Sequence, residues 1–140
     1  MPHPLIGTWR MLSLQIHLED TGETAEPWGE NPPAWLIVTP EFRLMTVGTA
    51  GGPRQPPKTD AEAAALLVGM VCYSGKTRLD GPDRFVTKVD TAWHPIWQGT
   101  EQAREFRIED NILRVRTDPV PHPSYPGRLL RFLLSWEREA

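Results

Sequence analysis

Gly7-Thr8-Trp9-Arg10-Met11-Leu12-Ser13-Leu14-Gln15-Ile16-His17-Leu18 is the first long apolar run of this 140-residue chain, and its opening decides the fold. A glycine two places before a tryptophan suits a strand that enters the floor of a small β-barrel. The glycine admits the chain without a side-chain clash, and the indole is large enough to plug the floor. A matching end follows near the C-terminus. Leu133-Leu134-Ser135-Trp136-Glu137-Arg138 reads as the strand that closes on the first.

Between these ends the pattern is strand and turn. Residues 7–18 read as a strand, and Glu19 to Glu23 as a turn. Residues 24–33, with three prolines, read as a crossing at a barrel mouth or edge. Ala34–Thr39 and Arg43–Val47 form a hairpin around Pro40-Glu41. Gly48–Lys58 is a Gly/Pro-rich loop. Thr59-Asp60-Ala61-Glu62 is a capping box that opens a helix from Ala61 to about Met70. At that length the helix needs packing across a barrel end or side. Then come strands at Val71–Leu79, Phe85–Ala92, Glu101–Ile108, Ile112–Thr117 and Leu129–Arg138. Asp118–Gly127, with four prolines, is loop. Eight antiparallel strands close into a barrel that side chains fill or that holds one small ligand. The fold class is therefore all-β: one domain over residues 1–140, an eight-stranded antiparallel barrel with one short α-helix.

Composition narrows the functions. A net charge of −3 argues against nucleic acid, because phosphate binding wants a basic face. No apolar run reaches the length of a membrane span. A lone cysteine, Cys72, allows no internal disulfide, and Met-Pro-His-Pro carries no signal pattern, so a cytoplasmic setting is expected. Cys72 reads as a small core residue. His3, His17, His94 and His122 stand far apart, without paired metal-ligand spacing. His3 and His122 lie in Pro-His-Pro, which reads as rigid loop. No phosphate loop, dinucleotide fingerprint or Ser-His-Asp order is present. Neither metal nor cofactor is expected.

Several blocks together resemble the lipocalin-like domain proteins of bacteria and fungi. They are Leu5-Ile6-Gly7-Thr8-Trp9-Arg10 with Ser13, Pro27 with Gly29, and Leu36-x-x-Thr39-Pro40 leading to Met45. The Glu62/Ala63/Ala64 helix, Tyr73-Ser74-Gly75, Ile112-Leu113 and Leu134-x-Trp136-x-Arg138 continue the match. The most specific block is Pro95-Ile96-Trp97-Gln98-Gly99-Thr100-Glu101-Gln102-x-Arg104. The resemblance implies a lipocalin-like barrel and little chemistry; some members stand beside natural-product pathways. It also implies a histidine on the strand before the Pro-x-Trp loop, where this chain has Thr87. That departure weakens acid–base chemistry of that kind. Asp90 stands where the family usually has glutamate, which keeps a carboxylate.

Strand parity predicts the inner wall, taking the more apolar face where one is clear. That face carries Leu36 and Val38, Met45 and Val47, Tyr73, then Phe85, Thr87, Val89 and Thr91. It continues with Arg104, Phe106 and Ile108, Leu113 and Val115, and Leu130, Phe132, Leu134 and Trp136. The first strand is ambiguous, and its Trp9 face is partly polar. With the Trp9, Met11, Ser13, Gln15, His17 face inside, Leu12, Leu14, Ile16 and Leu18 are left outside. That face would suit the helix or a second subunit, which motivates a homodimer.

An inward Arg104 needs a partner. Asp90, Glu101 or a ligand carboxylate would serve, or a structural role near Trp9. Tyr73 suits a ligand carbonyl, or a backbone bond in the core. His94, between Trp93 and Trp97, is a mouth residue with base chemistry or a plain loop position. Lys88 and Asp90 share a strand face and are expected to pair in solvent. The residues expected to line the ligand are Val38, Met45, Tyr73, Thr87, Trp93, Arg104, Phe106 and Phe132. The expected function is an intracellular barrel that binds a small, mostly hydrophobic molecule in its central cavity. The alternative is a cofactor-independent barrel enzyme of the isomerase, cyclase or dehydratase type, acting on a hydrophobic metabolite or natural-product intermediate.

Overall fold

β1 (Gly7–Leu18), β2 (Thr24–Ala25), β3 (Ala34–Val38) and β4 (Arg43–Thr49) precede α1 (Asp60–Val68). β5 (Met70–Leu79) and β6 (Arg84–Ala92) follow, then a 3-10 turn at Pro95–Trp97. β7 (Glu101–Glu109), β8 (Ile112–Thr117), β9 (Val120–Pro121) and β10 (Leu129–Arg138) complete the chain. These elements come from a computed structural model that describes residues 2–121 and 125–139. His122, expected in a rigid loop, lies outside the described residues.

β1 closes the sheet because it pairs on both edges. Gly7 to Arg10 run antiparallel to β3, with Gly7 opposite Val38. Trp9 to Leu18 run antiparallel to β10, with Trp9 opposite Arg138. Every other long strand pairs with its neighbour in the order β3-β4-β5-β6-β7-β8-β10, giving a closed eight-stranded antiparallel barrel. The two-residue strands β2 and β9 extend it beside β1 and β10.

Antiparallel alternation sorts the connections between two ends. The hairpins at 39–42, 80–83 and 110–111 lie at one end, the floor. The long connections at 19–33, 50–69, 93–100 and 118–128 all leave from the other, the mouth. Beneath the floor, Leu5 and Trp9 are fully buried, and the Trp9 indole N–H donates to the Leu5 carbonyl at 3.0 Å. His3 sits there as well. Its ring meets Phe42 and Phe106 edge-on, and its Nδ1 accepts from the Leu5 N–H at 3.0 Å.

The inner face of β1 is not the one that strict alternation predicts. Met11 faces Trp136 and Ser13 faces Ser135, so Leu12 is an extra residue, a β-bulge. The bulge flips the parity. Trp9 and Met11 are buried below it, and Leu14, Ile16 and Leu18 are buried above it. Ser13, Gln15 and His17 are half-exposed instead. The apolar outer face that motivated a partner subunit is largely the inner wall. A second irregularity, between Ser74 and Gly75 of β5, leaves Asp90 of β6 unpaired. Val89 stays inside, and Thr91 turns out to solvent.

α1 begins as expected, with the Thr59 hydroxyl accepting from the Glu62 N–H at 3.1 Å. Glu62 reaches back to the Lys58 N–H rather than to that of Thr59. The helix stops at Gly69 and buries no residue. The Trp93 indole N–H, which donates to the Leu67 carbonyl at 3.1 Å, holds it beside the mouth.

Candidate functional site

The Pro95–Arg104 block builds a polar ladder from the mouth into the barrel. Pro95 opens the 3-10 turn, and His94 Nδ1 accepts from the Ile96 N–H at 3.2 Å. The Thr100 hydroxyl donates to the Trp97 carbonyl at 2.6 Å. Gln102 Nε2 donates to Thr100 Oγ1 at 2.7 Å. Arg104 Nη2 donates to Gln102 Oε1 at 3.1 Å, and its Nη1 to the Ala103 carbonyl at 2.9 Å. Gln102 and Arg104 are two apart on β7, so both point inward. Arg104 lies opposite Phe85 on one side and Thr117 on the other, both buried.

Arg104 has no acidic partner among the described residues. Each carboxylate proposed for it from the sequence is engaged elsewhere. Asp90 accepts from Arg43 at 2.9 Å on the outer surface. Glu101 accepts from Arg78 at 2.6 Å, and that hydrogen bond holds its carboxyl below the usual range. Asp118, at the end of β8, feels Arg104 only as a minor influence. Its lowered pKa comes first from the hydrogen bond of Arg84, 2.9 Å away. Residues 122–124 are His-Pro-Ser and bring no carboxylate side chain. Nor does Arg104 brace Trp9; that position belongs to Arg138, whose guanidinium carbon lies 4.2 Å from the indole centroid.

Around this cation the inner wall is only partly buried. Tyr73, Gln102, Arg104, Phe132 and Leu134 point inward yet keep solvent contact. The core accordingly divides in two. One cluster, with Trp9, Leu36, Phe85, Phe106, Leu113 and Trp136, fills the floor half. A smaller one, Ile16, Leu18 and Leu130, lies at the mouth, and Phe132 packs against both. The Tyr73 ring packs at a tilt against Trp97, 5.4 Å between centroids, and Trp97 against Trp93 at the same distance. The Tyr73 hydroxyl makes no hydrogen bond among the described residues.

The residues expected to line a ligand therefore separate. Tyr73, Arg104 and Phe132 each point inward and are only partly buried. Val38 and Phe106 are inward but buried in the floor. Thr87 is buried too, its hydroxyl 2.8 Å from that of Thr77. Trp93 stands at the rim, against α1 and Trp97. Met45 and Val47 are corrections: both point outward and are each 49% exposed. β4 pairs Val38 with Leu44 and Leu36 with Thr46, so Leu44, Thr46 and Gly48 face inward. With Trp35, Ile37 and Cys72, and with Tyr73 and Trp93 at its upper edge, the two outward residues line an apolar groove of about 410 Å³ on the outer wall. Sequence reasoning missed Gln102. Its even spacing from Arg104 was the available signal.

Lys88 and Asp90 do not pair. The bulge at Asp90 turns it toward Arg43, and Lys88 Nζ donates to the Gly99 carbonyl at 2.7 Å. Among the described residues no His/Cys/Asp/Glu group could hold a metal ion. No helix there is long and apolar enough to cross a membrane.

A family profile described as a lipocalin-like domain matches residues 6–139. No curated protein matches the chain.

Proposed function

The chain belongs to the lipocalin-like domain family, and from that membership and its inner wall we propose that it binds a small, mostly hydrophobic molecule inside the mouth half of the barrel. One observation carries this reading: Tyr73, Phe132 and Leu134 point into a closed barrel and are still partly exposed. Inward apolar side chains that stay wet favour an apolar occupant, because burying them releases water. The tilted aromatic cluster of Tyr73, Trp97 and Trp93 supplies a rim that such a molecule would pass. The isomerase or cyclase alternative has less support. The Thr77 and Thr87 hydroxyls bond to each other, and the carboxylates shifted from their ordinary range sit in surface ion pairs.

Native mass spectrometry of the chain purified from its own host tests the reading. One retained organic molecule per chain is expected. Leu134→Trp, which fills the inner wall, should lose it, and Met45→Glu, on the outer groove, should keep it. The opposite pattern would move binding to the outer wall, and an empty chain that also binds no apolar probe would overturn the reading.

A further inference from the structure

We propose that the occupant is an acid, and that Arg104 receives its carboxylate. This rests on the binding reading above and specifies the ligand class. Four observations lead to it. Arg104 is inward and half-buried. No carboxylate among the described residues lies within salt-bridge distance of it. Two of its hydrogen bonds go to neutral oxygens, of Gln102 and Ala103. Its neighbours in sequence, Glu101 and Glu105, and the further candidates Asp90 and Asp118, are each held by another arginine.

A guanidinium carries five donors and cannot lose its charge in a protein. Taking it out of water is costly unless a counter-charge meets it. Here the ladder Arg104–Gln102–Thr100–Trp97 fixes the side chain without neutralising it. That is the arrangement of a preformed anion site: orientation comes from the chain, and charge balance is left to the ligand. A carboxylate matches the fork of the guanidinium with two parallel hydrogen bonds. Beyond Arg104 toward the floor, Phe85, Phe106, Leu113 and Trp136 are buried against one another. The apolar body of the ligand therefore extends toward the mouth, past Phe132 and toward Tyr73. The same fit sets the polarity of the molecule: acid group deep, hydrocarbon outward.

The test compares decanoate with methyl decanoate and decan-1-ol, each titrated into the full chain and followed by calorimetry. Decanoate should bind about tenfold or more tighter than the ester or the alcohol, the margin of a charge-assisted pair over a neutral contact. Arg104→Leu should erase that preference and leave ester affinity within about threefold. Arg104→Lys keeps the charge without the fork and should retain part of the preference; it also serves if the leucine variant folds poorly. Ester and acid binding equally to the unaltered chain would overturn the acid inference and leave the apolar reading standing. So would an Arg104→Leu variant with its preference intact. Binding of none of the three would overturn the binding reading itself, and the acid inference with it.

Discussion

Arg138 lies over Trp9, its guanidinium carbon 4.2 Å from the ring centroid, and from there it ties the two ends of the chain together. Nη1 donates to the Ile6 carbonyl at 2.9 Å and Nη2 to that of Pro4 at 2.6 Å. The N-terminal segment thus plugs the floor while the last strand clamps it. Gly7 belongs to the same arrangement. Its φ is +143°, and a Cβ there would stand 2.7 Å from Arg138 Nη1. Arg138→Ala should cost about 2 kcal/mol through the lost cation–π contact and hydrogen bonds. Gly7→Ala should cost a comparable amount, chiefly because a side chain is strained at that positive φ and also because it displaces the same group. Urea denaturation checks both.

Arg104 should behave in the opposite way. No acidic side chain among the described residues loses a partner when it is removed, so Arg104→Leu is expected to shift stability by less than about 1 kcal/mol, within the range of substitutions that break no paired charge. A drop as large as that of Arg138→Ala would make Arg104 a structural brace. Urea denaturation of the two variants side by side gives the comparison.

The ends of the barrel were legible because large residues recur where only a closed floor uses them. Trp9 and Trp136 announce the floor, and alternation from Leu130 to Trp136 gives the inner face of β10 correctly. The bulge at Leu12 was legible only as a switch of apolar face, from Trp9 and Met11 to Leu14, Ile16 and Leu18, which strict alternation along β1 cannot accommodate. β4 misled for another reason. Its inward set is Leu44, Thr46 and Gly48, more polar than its outward Met45 and Val47, and choosing the apolar face as inner put the wall outside. Arg104 was visible as an inward cation. That it lacks an acid was not, since only the barrel register sends Asp90 to Arg43 and Glu101 to Arg78.

Gly75 marks where β5 and β6 approach too closely for any side chain. A Cβ there would fall on the Lys88 carbonyl oxygen, with the Thr87 methyl 3.0 Å away. Backbone cannot yield as a flexible side chain does. Gly75→Ala should therefore fall at the upper end of the about 1–3 kcal/mol usual for overpacking. Thermal melting would show the drop, and a melting temperature equal to that of the parent would refute the close approach.

Surface ion pairs set the acid limb of stability. Hydrogen bonds from Arg131, Arg128 and Arg78 hold Glu19, Asp20 and Glu101 below the ordinary carboxylate range, and Arg84 does the same for Asp118. A carboxyl whose folded pKa is lowered stabilises the fold above its unfolded pKa, and that contribution is lost as pH falls through the folded value. The melting temperature should thus hold steady from neutral pH to about 5 and decline below about 4, where unfolded carboxyls take up protons. Molar salt should flatten the decline, because all four carboxylates face solvent. Melting curves across pH at low and high salt would show both effects; a decline that begins above pH 6 would point to a different group.

Leu44 and Met45 are adjacent on β4 and give the sharpest check of which way that strand faces. Leu44 is 1% exposed in the floor cluster, opposite Val38. Leu44→Ala should cost about 2–5 kcal/mol, the transfer term plus the cavity left among packed neighbours. Met45→Ala removes a side chain that is half in water and has no buried cluster to leave, so it should stay within about 0.5 kcal/mol of the parent. Urea denaturation of the pair gives the ratio directly. Equal losses would mean that Met45 packs in the core and that the outer groove is not exposed. A larger loss at Met45 than at Leu44 would reverse the facing of the strand and, with it, the register that leaves Tyr73 pointing into the barrel opposite Thr46.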